Sequence, residues 1–174
     1  RRKFLRNVTL STGGLVTGFQ SLAAVTTDEK DRLPENKRSS TAGFNMCGYA
    51  APKINTVRVG IVGLGNRGPG AVERLSFIEG VEIKALSDIR SEKANAVKKS
   101  LENSAHKPEV YSGSADAWKR LCERPDIDIV YIATPWSLHT PMAVYAMNNG
   151  KHVFTEVPAA KTIDECWQLV ETSE

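Results

Sequence analysis

Gly63, Gly65 and Gly68 punctuate the run Gly-Leu-Gly-Asn-Arg-Gly, and Asp88 follows 20 residues after the last of them. Each glycine has a separate use. The first permits a tight turn, the second lets backbone N–H groups approach a pyrophosphate, and the third lets a helix pack closely on the preceding strand. A helix opening at that point turns its positive end toward phosphate charge. A carboxylate at the distance of Asp88 can accept hydrogen bonds from an adenosine ribose and repels a 2′-phosphate. That favours NAD over NADP, and Arg90 weakens the preference without reversing it. A glycine triplet alone is a weak sign. Here an apolar strand pattern precedes it, a helical pattern follows it, and the acid stands where the chemistry needs it. The expected chemistry is capture of NAD.

Two further groups, Thr134-Pro135-Trp136-Ser137-Leu138-His139 and Glu156-Val157-Pro158, also close apolar runs. The elements that must position them alternate. From Thr56 onward, short apolar runs and helical periodicity take turns, which implies a doubly wound parallel sheet, an α/β Rossmann fold. The expected strands are 56–62, 81–86, a short one near 110–111, 127–133 and 152–155. The expected helices run over about 69–79, from a Ser91 cap to about 103, from a Ser114 cap to Pro125, and from Thr140-Pro141 to Gly150. A last helix opens at the capping box formed by Thr162 and Glu165. All the groups then fall at carboxyl ends of strands, where open α/β sheets bind ligands. His139 abuts a helix start and is expected as a cap or cofactor contact, whereas His106 and His152 are expected to be structural. Trp136 is expected to line the nicotinamide pocket. Trp118, Trp167, Cys122 and Cys166 have helical spacing and are expected in the core.

With 174 residues, 41% hydrophobic and 25% charged, the chain has a globular composition and room for one domain. The net charge of +3 is unevenly placed: residues 1–38 hold eight Lys/Arg against four acids, so the remainder carries a slight negative excess. Nucleic acid is therefore not an expected partner. The three cysteines are far apart and no Cys/His cluster exists, so no metal is expected. Arg1-Arg2-Lys3-Phe4-Leu5-Arg6 precedes a weakly apolar, glycine-containing run to Val25, with Ser21-Leu22-Ala23 as a small-x-small cleavage site. Residues 1–25 thus read as a twin-arginine signal, implying that export machinery as a partner and a periplasmic or extracellular destination. No stretch supplies the roughly 20 strongly apolar residues of a stable membrane span. Residues 26–55 read as a polar linker, within which the less polar 46–52 is expected to pack on the domain, and 56–174 as the dinucleotide domain. The chain stops at Glu174 at a helix end without a second domain, and is expected to be the N-terminal piece of a longer protein.

The four loops, in order and spacing, resemble the glucose-fructose oxidoreductase/inositol dehydrogenase superfamily over roughly residues 56–174. Residues 46–53, the start of the first helix at Arg67-Gly68-Pro69-Gly70-Ala71-Val72-Glu73-Arg74 and the Trp136-Ser137-Leu138-His139 loop resemble, more narrowly, glycosyl hydrolase family 109. That family's activity is NAD-dependent α-N-acetylgalactosaminidase. The resemblance implies a second, C-terminal α/β domain holding most of the substrate site. It places Gly63, Gly65, Asn66, Arg67 and Gly68 at the pyrophosphate and Asp88 at the adenosine ribose. Trp136, Ser137, Leu138 and His139 would lie along the cofactor, with Glu156 and Val157 near the nicotinamide. It implies a small glycoside substrate, opened by transient oxidation at C3, loss of the C2 proton, expulsion of the C1 substituent, addition of water and re-reduction.

Position 157 departs from the wider superfamily. Many of its dehydrogenases have Glu-Lys-Pro there, and that lysine helps move a hydroxyl proton; Val157 cannot titrate. The departure favours the glycosidase branch, and Lys161 nearby reads as solvated. Two other readings stay open: an exported sugar oxidoreductase with tightly held NAD(P), and a non-catalytic nucleotide-binding module. No catalytic residue is named from this chain, and a homo-oligomer is compatible with it.

Overall fold

The computed structural model describes Met46 and residues 48–174. The signal expected over 1–25, most of the linker expected over 26–55, and Cys47 lie outside the described residues. Strands and helices alternate as β1 (Val57–Val62), α1 (Gly68–Ser76), β2 (Val81–Asp88), α2 (Ser91–Ser100), β3 (Glu109–Ser112), α3 (Ala117–Cys122), β4 (Ile129–Ile132), α4 (His139–Asn148), β5 (His152–Thr155) and α5 (Ile163–Ser173). A 3₁₀ turn at Trp136–Leu138 leads into α4. The strands form one parallel sheet in the order β3-β2-β1-β4-β5. The doubly wound fold expected from the alternation is present. Its strand order reverses between β1 and β4, and that pair is the switch point at which such sheets open a ligand crevice.

Side-chain alternation along β1 explains the two-layered core. Val59 and Ile61 point to one face, where Val72 of α1 and Ala94 and Val97 of α2 cover them. Val62 points to the other, where Leu121 of α3 and Met142, Ala143 and Ala146 of α4 complete a second cluster. Gly60 sits between them for a packing reason: a Cβ there would stand 2.6 Å from Leu121 Cδ2. Asp128, the polar exception in the fourth apolar run, lies just before β4. It accepts hydrogen bonds from Arg58 N at 2.8 Å and Arg58 Nε at 2.9 Å, so it ties the amino ends of β1 and β4 together, opposite the ligand rim.

Several element ends differ from expectation. Helix α1 stops at Ser76, not near 79, so Ile78 falls outside it and is exposed. The expected Ser91 cap is absent; Arg90 occupies the cap position without a side-chain bond, and Ser91 Oγ instead accepts from Ser112 Oγ at 3.0 Å. Residues 127–128 and 133 lie outside β4, and α4 begins at His139, before Thr140-Pro141. Gly150, with φ of 71°, closes α4 as expected for a left-handed helix end. Met46 and Tyr49 are exposed, so the segment expected to pack on the domain does not bury them. Trp167 and Cys166, expected in the core, are also exposed, because α5 has no buried residue. No helix among the described residues is long and apolar enough to cross a membrane.

Candidate cofactor site

The glycine turn follows β1 and is pinned from three sides. Gly63, with φ of 92°, donates its N–H to Ser87 O at 2.8 Å. A Cβ on Gly63 would stand 2.6 Å from the Ala133 carbonyl carbon and oxygen, across the switch point. Leu64 N donates to Asp88 Oδ2 at 2.7 Å, which fixes the turn to the end of β2. Gly68 begins α1 so close to the turn that a Cβ would collide with the Gly63 carbonyl oxygen. Gly65 is different: the nearest atom a Cβ would meet is Arg90 Nη2 at 3.8 Å. That open space over the backbone suits a diphosphate. Asn66 and Arg67 are exposed beside it, and Arg67 occupies the cap position of α1 with no side-chain capping bond. No side chain therefore caps the first N–H groups of α1, which leaves them able to meet an anion.

Asp88 is buried at the carboxyl end of β2. Besides Leu64, its Oδ1 accepts from Arg90 N at 2.9 Å, and Arg90 Nε lies 3.6 Å from the same oxygen. Its first role is thus to hold the turn. Each carboxylate oxygen can accept a further bond, so a ribose hydroxyl remains compatible with it.

The loops after β4 and β5 complete the rim. Trp136, Ser137 and Leu138 form the exposed 3₁₀ turn, with Leu138 N donating to Pro135 O at 2.9 Å. Val157, joined to Pro158 by a cis peptide bond, is exposed. His139 is not where direct contact with a cofactor would place it, because its side chain is fully buried. Its Nδ1 lies 2.7 Å from Pro158 O and its Nε2 2.8 Å from Thr134 O. Carbonyl oxygens only accept and a neutral ring carries a single N–H, so the ring donates to one of the two carbonyls, set by its tautomer, and packs between both loops. Thr140 adds a third link by donating Oγ1–H to Ala159 O at 3.1 Å.

Sequence reasoning missed Tyr131, and it weighed Arg90 and Lys161 without their positions. Tyr131 of β4 donates its hydroxyl to Glu156 Oε1 at 2.7 Å, orienting that carboxylate on the α1 side of the sheet. Burial, then the hydrogen bond to Glu156 and its charge, raises the Tyr131 pKa, and Arg74 of α1 opposes the rise. Tyr131 was visible as a hydroxyl-bearing residue in an apolar run, but only the sheet register pairs it with Glu156. Arg90 stands over the glycine turn. Lys161 shares a shallow concavity of about 420 Å³ with Pro135, Trp136 and Ser137. A second concavity of about 540 Å³ lies at the carboxyl end of α2, near His106 and Lys107, away from the glycine turn.

Glycines whose missing side chains admit a turn, a close helix and an open backbone cradle at the switch point of a 3-2-1-4-5 sheet define a dinucleotide-binding Rossmann domain. The residues present fit NAD. A model of the oxidoreductase family with an NAD-binding Rossmann fold matches residues 57–174, and the chain belongs to that family. A glycosyl hydrolase family 109 protein of Bacteroides fragilis is 55% identical over 132 residues, 75% of this chain and 28% of that protein. An alpha-N-acetylgalactosaminidase of the same species is 51% identical over 131 residues, 75% of this chain and 31% of that protein. Among solved structures, a myo-inositol dehydrogenase from Lactobacillus casei in complex with NAD(H) and myo-inositol superposes with a TM-score of 0.60. It is 29% identical, over 67% of this chain and 33% of that one. The chain thus spans about a third of the length of the relatives it matches. The superfamily resemblance carried by the four loops is met.

Proposed function

We propose that this chain is the cofactor-binding part of an NAD-dependent glycosidase that removes terminal α-N-acetylgalactosamine. The observation that carries the reading is Val157, exposed on the rim where a proton-carrying lysine would mark a sugar dehydrogenase. Relatives named for family 109 and for α-N-acetylgalactosaminidase support it. NAD, when bound, supplies reversible oxidation of a sugar hydroxyl at C3 to a ketone. The ketone acidifies the C2 proton, whose loss expels the C1 substituent; water then adds, and C3 returns to the alcohol. The chain's own part is positional. Gly63, Gly65, Asn66, Arg67 and Gly68 would hold the diphosphate, with α1 directing its positive end there. Asp88 would accept from the adenosine ribose. Trp136, Ser137 and Leu138 would flank the cofactor, held from below by His139, and Glu156 and Val157 would border the nicotinamide. A valine excludes water and moves no proton, so the proton steps belong to other groups.

A cycle that restores its cofactor suits an exported protein, which has no nucleotide pool to draw on. We read residues 1–25 as the twin-arginine signal that sends it to the periplasm or beyond. Replacing Arg1 and Arg2 by Lys should leave the protein in the cytoplasm, as fractionation would show. Full-length protein should cleave an aryl α-N-acetylgalactosaminide with no added NAD. No cleavage, together with steady NADH formation from free sugars, would refute the glycosidase and favour an exported sugar oxidoreductase, a reading that the inositol dehydrogenase neighbour also suits.

A further inference from the structure

The acid expected to read the adenosine ribose is unusually well compensated. Both oxygens of Asp88 already accept backbone N–H groups, from Leu64 at 2.7 Å and from Arg90 at 2.9 Å. The Arg90 guanidinium adds a cation at 3.6 Å. Asp88 retains only 7% of its side-chain surface, whereas Arg90 retains 53%. What the turn presents to solvent at this corner is therefore a guanidinium. Its Nη2 stands 3.8 Å from where a Gly65 Cβ would be, on the side of the turn left open for the diphosphate.

A carboxylate selects against a 2′-phosphate by charge repulsion, and it does so in proportion to the field it projects. Here the projecting group is a cation of the type that pairs well with phosphate oxygens. We propose that Arg90 makes the adenosine end of this site tolerant of a 2′-phosphate, so that the chain binds NADP nearly as well as NAD. The inference rests on the cofactor assignment made above. It concerns the ratio of two affinities, which a residue that merely braced the turn would leave unchanged.

Calorimetry on the whole chain, freed of co-purified nucleotide, would compare ADP-ribose with its 2′-phosphorylated form. The two dissociation constants should lie within about tenfold of each other. Arg90→Met keeps the backbone N–H to Asp88 and removes the guanidinium. It should weaken the 2′-phosphate form about tenfold to a hundredfold more than ADP-ribose, the loss of one charge-assisted bond. Arg90→Lys should retain most of the tolerance. ADP-ribose binding by each variant reports that its turn is still formed. Wild-type rejection of the 2′-phosphate by a hundredfold or more, or an equal loss of both ligands in Arg90→Met, would overturn the inference while leaving the cofactor site standing. Failure of wild-type protein to bind ADP-ribose at all would remove both.

Discussion

Gly68 is a position where one added methyl must move backbone rather than a side chain. Its Cβ would meet the Gly63 carbonyl oxygen and, at 2.9 Å, the Gly63 carbonyl carbon. Gly68→Ala should therefore cost roughly 1–3 kcal/mol of stability, as overpacking does, and should displace the turn and weaken NAD binding. Thermal denaturation and calorimetric titration check the two halves of that expectation. His139 is the complementary case, where removal rather than addition does the harm. His139→Ala leaves whichever of the Thr134 and Pro158 carbonyls accepts the ring N–H without its buried donor, at roughly 1–3 kcal/mol, and opens a cavity between the two loops. A melting temperature within a degree or two of wild type would show that the ring does not hold these loops. The glycines and Asp88 were legible in the sequence because their use depends on spacing along one chain. The Tyr131–Glu156 bond and the position of Arg90 over Gly65 were not, because strand register and side-chain direction bring those pairs together.

At the scale of elements, capping chemistry decided what could be read ahead. Thr162 and Glu165 form the reciprocal pair that their spacing announces, with Glu165 N donating to Thr162 Oγ1 at 3.1 Å and Thr162 N to Glu165 Oε2 at 3.3 Å. Ser91 sits one position inside its helix and bonds Ser112 instead, a partner that only the β2–β3 pairing supplies. Helix α5 buries no residue fully, so local terms weigh more heavily in it than in α1 or α4. Thr162→Ala should destabilise it by about 1 kcal/mol, seen as faster amide exchange in its first turn. Unchanged exchange there would mean that contacts with α4 alone hold the helix. The amphipathic pattern of α5 led Trp167 to be placed in the core. Periodicity identifies a helix face, but not whether anything covers it.

The molecule as a whole divides its charge between two ends of the sheet. On the rim, acids hold loops; at the opposite end, acids hold strand starts. There Arg124 Nη2 bonds Asp126 Oδ2 at 2.7 Å, and Arg58 bonds Asp128. The Arg124 guanidinium lowers the Asp126 pKa to about 2, and Arg58 lowers that of Asp128. Carboxyls depressed on folding contribute stability that is complete above the ordinary carboxylate range and is lost as pH falls through their folded values. Stability should accordingly hold down to about pH 4 and decline toward pH 2, modestly because these pairs are partly exposed. Denaturant melts across that window test it; a midpoint flat from pH 5 to pH 2 would remove the pairs from the account. Global burial also separates two thiols. Burial pushes Cys122 up to about 12, while Cys166 is exposed, so iodoacetamide at pH 8 should label Cys166 and spare Cys122 in the folded protein.

The three-sided pinning of Gly63 and Leu64 has a kinetic corollary. A cradle whose backbone is already frozen surrenders little disorder when a nucleotide arrives, so affinity is not spent on arranging the receptor. Escape then depends on the flanking Trp136 and Val157 segments yielding, and long occupancy becomes a property of those walls rather than of the floor.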